Sequence, residues 1–369
     1  MDKAGRPAPP GGRVAGVRRI AVLRANSIGD FVLVLPALEA LRAAYPDAEI
    51  TFLGRHYHVD WLSGRPGPWD RVLAVPAYPG VTAPADAPPA TPQIAGFLAA
   101  QRAHGYDLAL QLHGGGASSN PFLARLGAQA TVGSRADGAA ALDRDVPYTP
   151  HQHEVLRYLE VVGLAGAAPV GLEPRLTVTP ADRDEAEAAL TCSDVPLVAV
   201  HPGANDARRR WPPDRFAAVA DELAGRGAQV VLVGASEEAT LTAAVVAAMR
   251  HPAVDLAGRL SLSGTTGLLA RCVLLVGNDS GPRHIAAAVG TATVGIYWGT
   301  NLAGFGPLFR ARHRVAVSFR TVCPECRTDS NEERCPHEVS FVADVPARDV
   351  CRAAIELYDA ESRSGRPEG

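Results

Sequence analysis

Lysine is almost missing from this chain. Of 36 basic residues only Lys3 is not arginine, and it sits in a stretch rich in proline and glycine. That excludes a Schiff-base lysine and a Walker-type GxxxxGK phosphate loop. Long apolar runs are missing too. No uninterrupted stretch reaches the roughly 18 residues of a membrane span, and the opening MDKAGRPAPPGG has no apolar centre of the kind a secretory signal carries. Cysteine is scarce, six in 369 residues, which rules out a disulfide scaffold. A formal net charge of −3 with no basic run longer than three speaks against nucleic acid as the main partner. The dinucleotide fingerprint GxGxxG is absent as well, because in HGGGASSN the third glycine slot counted from Gly114 is Ser119.

What is present is core material in quantity. Hydrophobic residues make up 47% of the chain, and the length suits two domains. The expectation is a soluble, cytoplasmic, two-domain protein. Residues 1–17 read as a disordered leader. From 18 onward short apolar runs alternate with amphipathic segments: RRIAVLRA, then FVLVLPALEALRAAY, then AEITFLGR, on to HEVLRYLEVVGL. Pro36 belongs near the start of its helix or at a kink. This first domain is expected over 18–165. Residues 166–190 lose the periodicity and read as a linker. The alternation restarts with PLVAVHPGA and runs through TATVGIYWG, a second domain over 191–346. A last helix is expected over 347–362 and a tail over 363–369. Strand–helix alternation twice over predicts two α/β domains with mostly parallel sheets. In such sheets ligands sit at the carboxyl ends of strands, so the loops that follow strands carry the candidates.

The first such loop, RANSIGDFVLVLP, puts Ser27, Gly29 and Asp30 at a helix start. Asp30 there is either a cap that satisfies backbone donors or a carboxylate base, ionised at neutral pH with a reference pKa of about 3.9. His113 stands where another strand meets the Gly114–Gly116 triplet. In VGNDSGPRHIAAAVG a strand ends at Asn278–Asp279, and Ser280 and Gly281 open a helix with Pro282 in its first turn. Exposed N–H groups and the helix dipole favour an anion there, with Arg283 and His284 as added donors; an ordinary strand-to-helix turn is the other reading. HPGANDARRRWP, opening at His201, holds Arg208, Arg209 and Arg210, which suit a diphosphate or form a solvated turn. GASEE places Glu238 at a helix start, as a dipole complement or a ribose clamp. The Asp-x-Asp pairs at Asp143–Asp145 and Asp182–Asp184 read as surface charge. Cys323, Cys326, Cys335 and His337 form C-x2-C-x8-C-x-H. They make a structural tetrahedral zinc site, free thiols or a redox-labile pair.

The order of these loops resembles glycosyltransferase family 9, the ADP-heptose:lipopolysaccharide heptosyltransferases. The resemblance is carried by RANSIGDFVLVLPALEALRAAYP, HPGA…RRRWP, GASEE, LAGRLSL and NDSGPRHIAAAVGTATVGIYWGT. It implies the GT-B architecture: two Rossmann-like domains facing a central cleft, the nucleotide-sugar on the second, the acceptor on the first, and a last helix that crosses back to the first. It implies an inverting, metal-independent transfer that requires no cofactor, so a zinc at the cysteine cluster would be structural. Asp30 takes the role of base on the acceptor hydroxyl, with Ser27, Gly29 and His113 on the acceptor side. Asp279, Ser280, Gly281 and His284 form the donor-phosphate and sugar site, joined by His201, Arg209, Arg210 and Glu238. Arg209 stands where the family commonly has lysine, and Ala117–Ser118–Ser119 stand where a basic residue is frequent. The implied partners are ADP-heptose and a sugar or lipid-linked glycan acceptor, with at most peripheral contact at the inner face of a membrane. The alternatives are another nucleotide-sugar with a small-molecule acceptor, or a protein that binds the nucleotide-sugar without transfer.

Overall fold

The structure is a computed structural model that describes residues 11–88, 91–190 and 195–363. The chain divides into two compact units, Met1–Thr177 and Val178–Gly369. No helix among the described residues is long and apolar enough to cross a membrane.

The first unit alternates strand and helix: β1 (Arg19–Leu23), α1 (Ile28–Ala44), β2 (Glu49–Gly54), α2 (His56–Leu62), β3 (Arg71–Ala74), α3 (Pro92–His104), β4 (Leu108–Gln111), α4 (Ser119–Ala124), β5 (Ala130–Arg135), β6 (Arg144–Pro147) and α5 (Glu154–Gly163). Its six strands are ordered β3-β2-β1-β4-β5-β6, and every pairing is parallel. β1 and β4 read as continuous apolar runs because a parallel sheet with helices on its faces buries both sides. α1 is buried almost throughout and runs through Pro36 as one element, so this proline lies in the helix interior rather than at its start. Residues 11–17, expected to be part of a disordered leader, are tied to this unit: Val14 N donates to the Tyr45 hydroxyl at 2.9 Å, and Arg144 Nη1 donates to Gly12 O at 2.8 Å. The rest of that leader, 1–10, lies outside the described residues.

The second unit follows the same plan: α6 (Pro180–Ala189), β7 (Leu197–His201), α7 (Pro213–Ala224), β8 (Gln229–Leu232), α8 (Ala239–Ala248), β9 (Val254–Asp255), α9 (Leu262–Arg271), β10 (Leu274–Asn278), α10 (Gly281–Ala288), β11 (Ala292–Trp298), α11 (Gly299–Phe305), β12 (His313–Ser318) and α12 (Ala347–Arg363). Its strands are ordered β12-β11-β10-β7-β8-β9, again all parallel. Counted within each unit, both sheets have the doubly wound order 3-2-1-4-5-6. The order reverses between β1 and β4, and between β7 and β10, and ligands of such sheets bind at those points.

Two expectations about the borders change. Part of the presumed linker is the helix α6. Thr179 and Asp182 close a reciprocal capping box, with Asp182 N donating to Thr179 Oγ1 at 3.2 Å and Thr179 N to Asp182 Oδ2 at 2.8 Å, and α6 packs on α9. The last helix, expected to cross to the first domain, packs on α7, β10, β11 and β12 of the second unit. Its apolar stripe of Val350, Ala354, Leu357 and Tyr358 is buried in the core of the second unit. The spacing of these four puts them on one helix face, and that face is used up there. Of the expected tail, residues 364–369 lie outside the described residues.

Trp211 anchors this second core. It is 1% exposed, meets Phe216 edge to face at 5.0 Å, and its Nε1 donates to Val345 O at 3.0 Å. Trp211→Ala is expected to cost about 3–5 kcal/mol, read as a lower midpoint of urea denaturation.

Candidate active site

In the first unit the loops after β1 and β4 converge at the reversal point. Arg24 follows β1 directly, and its side chain is 3% exposed. Its Nη1 donates to Leu112 O just past β4 at 2.9 Å, and its Nη2 donates to Asp30 Oδ1 at 2.6 Å. The other oxygen of Asp30 accepts from Ser27 N at 3.0 Å and Ser27 Oγ at 2.7 Å. Asp30 is therefore a cap of α1, and it is also the partner of a buried guanidinium. Gly29 is buried in the same first turn. Arg24 also lies 3.5 Å from Glu154 and over the Tyr158 ring at 4.9 Å, while Glu154 accepts from Arg157 and from the Tyr158 hydroxyl. The result is a buried network of alternating charge rooted on α5.

His113 accepts from Ala25 N through Nδ1 at 3.2 Å, so its proton sits on Nε2. Burial, together with the charge of Arg24, lowers its pKa to about 4. It is a neutral imidazole at neutral pH, suited to hydrogen bonding and unsuited to neutralising a phosphate. The glycine loop beyond it is fixed by Gln111 Nε2 donating to Asn120 Oδ1 at 2.8 Å and by Ser119 Oγ donating to His113 O at 2.9 Å.

The second unit collects its candidates at the ends of β7, β8, β10 and β11. Asp279, 2% exposed, is the hub. Arg209 Nη1 donates to its backbone oxygen at 3.1 Å and to Oδ2 at 3.3 Å. Asn301 Nδ2 donates to Oδ2 at 3.3 Å, and His284 Nε2 lies 3.3 Å from Oδ1, with Arg283 at 3.6 Å. Burial pushes the carboxyl up, but His284, Arg283 and Arg209 outweigh it and hold it below its ordinary value. Arg283 is 2% exposed, lies over the Tyr297 ring at 5.1 Å and donates to Phe305 O at 3.1 Å, so it braces the hub.

A second chain runs beside the hub. Ser280 Oγ is 2.9 Å from His201 Nδ1, and His201 Nε2 is 3.1 Å from Glu238 Oε2. Glu238 also accepts from Ala235 N at 2.9 Å, and although burial opposes it, His201 holds this carboxyl below its usual range. Gly203 passes so close that a Cβ there would overlap the Glu238 carboxylate. Ser280 stands at the N-cap position of α10 with its hydroxyl turned to His201 and to Asn278 O rather than to the helix, so the chain ends at a helix N-terminus, a place where anions bind. Arg210 is directed differently from Arg209: its Nε donates to Ala204 O at 2.9 Å. Arg208 is paired with Asp206 at 2.6 Å.

The structure thus brings together Ser27, Gly29, Asp30 and His113 in one unit, and His201, Arg209, Glu238, Asp279, Ser280, Gly281 and His284 in the other. Cys323, Cys326, Cys335 and His337 form a separate cluster with their ligand atoms within 4.8 Å of one another. The Asp-x-Asp pairs act locally: Asp143 accepts from Thr131 N and Oγ1 at 2.8 and 2.7 Å, Asp145 pairs with Arg135 at 3.0 Å, and Asp182 caps α6. Sequence reasoning missed Arg24, Glu154 and Asn301. Arg24 had a signal, a charged residue directly after a buried strand; Glu154 did not, because only the fold brings it near β1.

The profile of Glycosyltransferase family 9 (heptosyltransferase) matches residues 97–336, a stretch that contains the whole second-unit site and begins after the Asp30 loop. Lipooligosaccharide heptosyltransferase 2 of Haemophilus influenzae is 31% identical over 169 residues, which are 43% of this chain and 49% of that protein. The chain thus spans about half the length of the curated relatives it matches. The solved family 9 glycosyl transferase of Veillonella parvula has the same fold, with a TM-score of 0.73 at 21% identity over 93% of this chain and 97% of that one. So does the Escherichia coli ADP-heptose lps heptosyltransferase II, with a TM-score of 0.71 at 21% identity over 94% and 99%. The chain belongs to glycosyltransferase family 9.

Two outcomes follow from the first-unit network. Arg24→Met leaves Glu154 and Asp30 without their shared cation and is expected to cost about 3–5 kcal/mol in urea denaturation. His113 stays neutral in the fold while the unfolded chain takes up a proton below about pH 6.5. Its contribution is complete above that pH and is lost as pH falls towards 4. The denaturation midpoint should drop across that window, and His113→Gln should flatten the drop.

Proposed function

We propose that this chain is an inverting glycosyltransferase that moves a heptose from ADP-heptose to a hydroxyl of a lipopolysaccharide-core or other glycan acceptor. Membership of family 9 supports the class of reaction. The observation that carries the rest is the cradle at the start of α10: Arg209 on Asp279, beside the Ser280–His201–Glu238 chain. The cradle offers two kinds of recognition at the reversal point of one sheet. Arg209 and the backbone N–H groups of Gly281 and Arg283 at the start of α10 meet the diphosphate, and Glu238 accepts from ribose hydroxyls.

In the transfer, the acceptor oxygen forms a bond to the anomeric carbon as the bond from that carbon to the β-phosphate oxygen breaks. ADP leaves with the electron pair, and the acceptor proton passes to Asp30. Charge grows on the leaving diphosphate, so donors fixed in advance by the hub stabilise the transition state more than the ground state. Arginines and a helix terminus supply that positive charge, and the transfer step is assigned no metal. Asp30 is held by Arg24 and Ser27, which orients its carboxylate. Ser27, Gly29 and His113 shape the acceptor side. The reading also carries cytoplasmic residence, with at most peripheral contact at the inner face of the membrane.

The test is direct. Among nucleotide-sugars offered to the purified chain, ADP-heptose should raise the melting temperature most, since a ligand at 100 times its Kd adds about 2.7 kcal/mol. Product should form with a glycan acceptor. Asp30→Asn should lower kcat by about 10²–10⁴-fold with ADP affinity unchanged, whereas Arg209→Ala should weaken ADP binding and lower kcat together. Binding without transfer would return the non-catalytic reading, and full turnover in Asp30→Asn would move the base elsewhere.

A further inference from the structure

The stretch from Phe319 to Pro346 connects β12 to α12, and its only regular pairing is an isolated antiparallel bridge between Val322 and Asp329. A connection well beyond about 12–15 residues with no helix or strand calls for another source of order. Within it Cys323, Cys326, Cys335 and His337 each present one ligand atom, all within 4.8 Å of one another, and Cys323 Sγ is 3.9 Å from His337 Nδ1. A tetrahedral zinc with Zn–S of about 2.3 Å and Zn–N of about 2.0–2.1 Å sets its ligand atoms about 3.5–3.8 Å apart. Closing this cluster onto an ion therefore takes shifts of about 1 Å or less.

Two local features prepare these residues for a ligand. In CPECRT the chain folds back on itself, with Cys323 N donating to Thr328 O at 2.9 Å and Arg327 N donating to Cys323 O at 3.0 Å. Arg327 adopts a φ of 65°, a left-handed conformation that a non-glycine residue keeps only where its surroundings hold it. Independently, His337 Nε2 lies 3.2 Å from the Glu325 carboxylate. That contact keeps the ring proton on Nε2 and leaves the Nδ1 lone pair for a metal, the arrangement usual for histidine ligands.

The cluster borders the arginine turn of the donor cradle. Cys323 and Cys335 are buried in one core with Trp211, Trp298 and Phe341. Phe341 N donates to Arg208 O at 2.7 Å, and the Arg208 guanidinium lies over the Trp298 ring at 5.2 Å. Trp211, three residues on, is held by Val345 O. The segment thus grips both ends of the turn that carries Arg209.

We propose that Cys323, Cys326, Cys335 and His337 bind one divalent zinc-type ion through three thiolates and an imidazole, and that this ion anchors the 319–346 segment against the turn from Arg208 to Trp211. Binding releases the thiol protons to solvent. The metal site stands on its own geometry; its effect on donor affinity rests on the function proposed above.

The experiment is elemental analysis of the full chain, purified under reducing conditions and loaded with Zn²⁺, with Cys326→Ser and Cys351→Ser beside it. Cys326 is exposed, and Cys351 lies on α12 outside the cluster, so neither change empties the core. The wild-type chain and Cys351→Ser should hold about one zinc each and Cys326→Ser under about a tenth of that. Cys326→Ser should also melt lower, show faster hydrogen exchange over residues 206–211, and bind ADP several-fold more weakly. Only trace zinc in the wild-type chain, or equal zinc in Cys326→Ser, overturns the site. A disulfide among the three cysteines under these conditions overturns it as well. Loss of zinc with exchange over 206–211 unchanged overturns the anchoring. If ADP binds to none of the three proteins, the donor assignment fails while the zinc count and the exchange data still decide this proposal.

Discussion

A single buried carboxylate organises the second unit. Asp279 lies where β10 gives way to α10, 2% exposed, and could not remain ionised there unaided. Arg209 from the turn after β7, Arg283 and His284 from α10, and Asn301 from α11 converge on it. Each is thereby fixed in place before any ligand arrives. The cationic side chains gathered on this one carboxylate stand at the start of α10, where helix geometry favours an anion. Deleting the carboxylate would leave buried guanidinium and imidazole groups facing each other, a more severe change than the loss of one contact.

The first unit uses the opposite arrangement. There a buried cation, Arg24, is the hub, and Asp30, Glu154 and the Tyr158 ring gather round it. Asp30 is consequently held on both carboxylate oxygens, by the guanidinium of Arg24 and by Ser27 at the start of α1. The two readings of Asp30 offered by its sequence context, helix cap and functional carboxylate, are not exclusive. It is a cap because the chain turns into α1 there, and that same turn presents the carboxylate at the end of β1.

Much of this architecture was legible because parallel sheets leave a strong trace. β1, β4, β7, β10 and β11 are central strands buried on both faces and read as mostly apolar runs. What was not legible lay at the margins. β6, Arg144–Pro147, and β12, His313–Ser318, are edge strands with a single neighbour each, and their charged or half-buried residues carry no such trace. α6 was hidden by its small, acidic composition, although its Thr179–Asp182 cap was written in the residues. The candidate site residues of the second unit could be named from loops because they follow strands directly. The Arg24–Glu154 pairing could not, because 130 positions separate the partners and only the folded sheet closes that distance.

The placement of α12 has a consequence for how such a molecule can be taken apart. Because its apolar stripe completes the second core, the residues gathered round Asp279 and the helix that supports them all fall after Val178. Among the described residues, this core is built entirely from positions after Val178. A single crossover near Thr177 would therefore carry this core and the residues gathered round Asp279 in one piece.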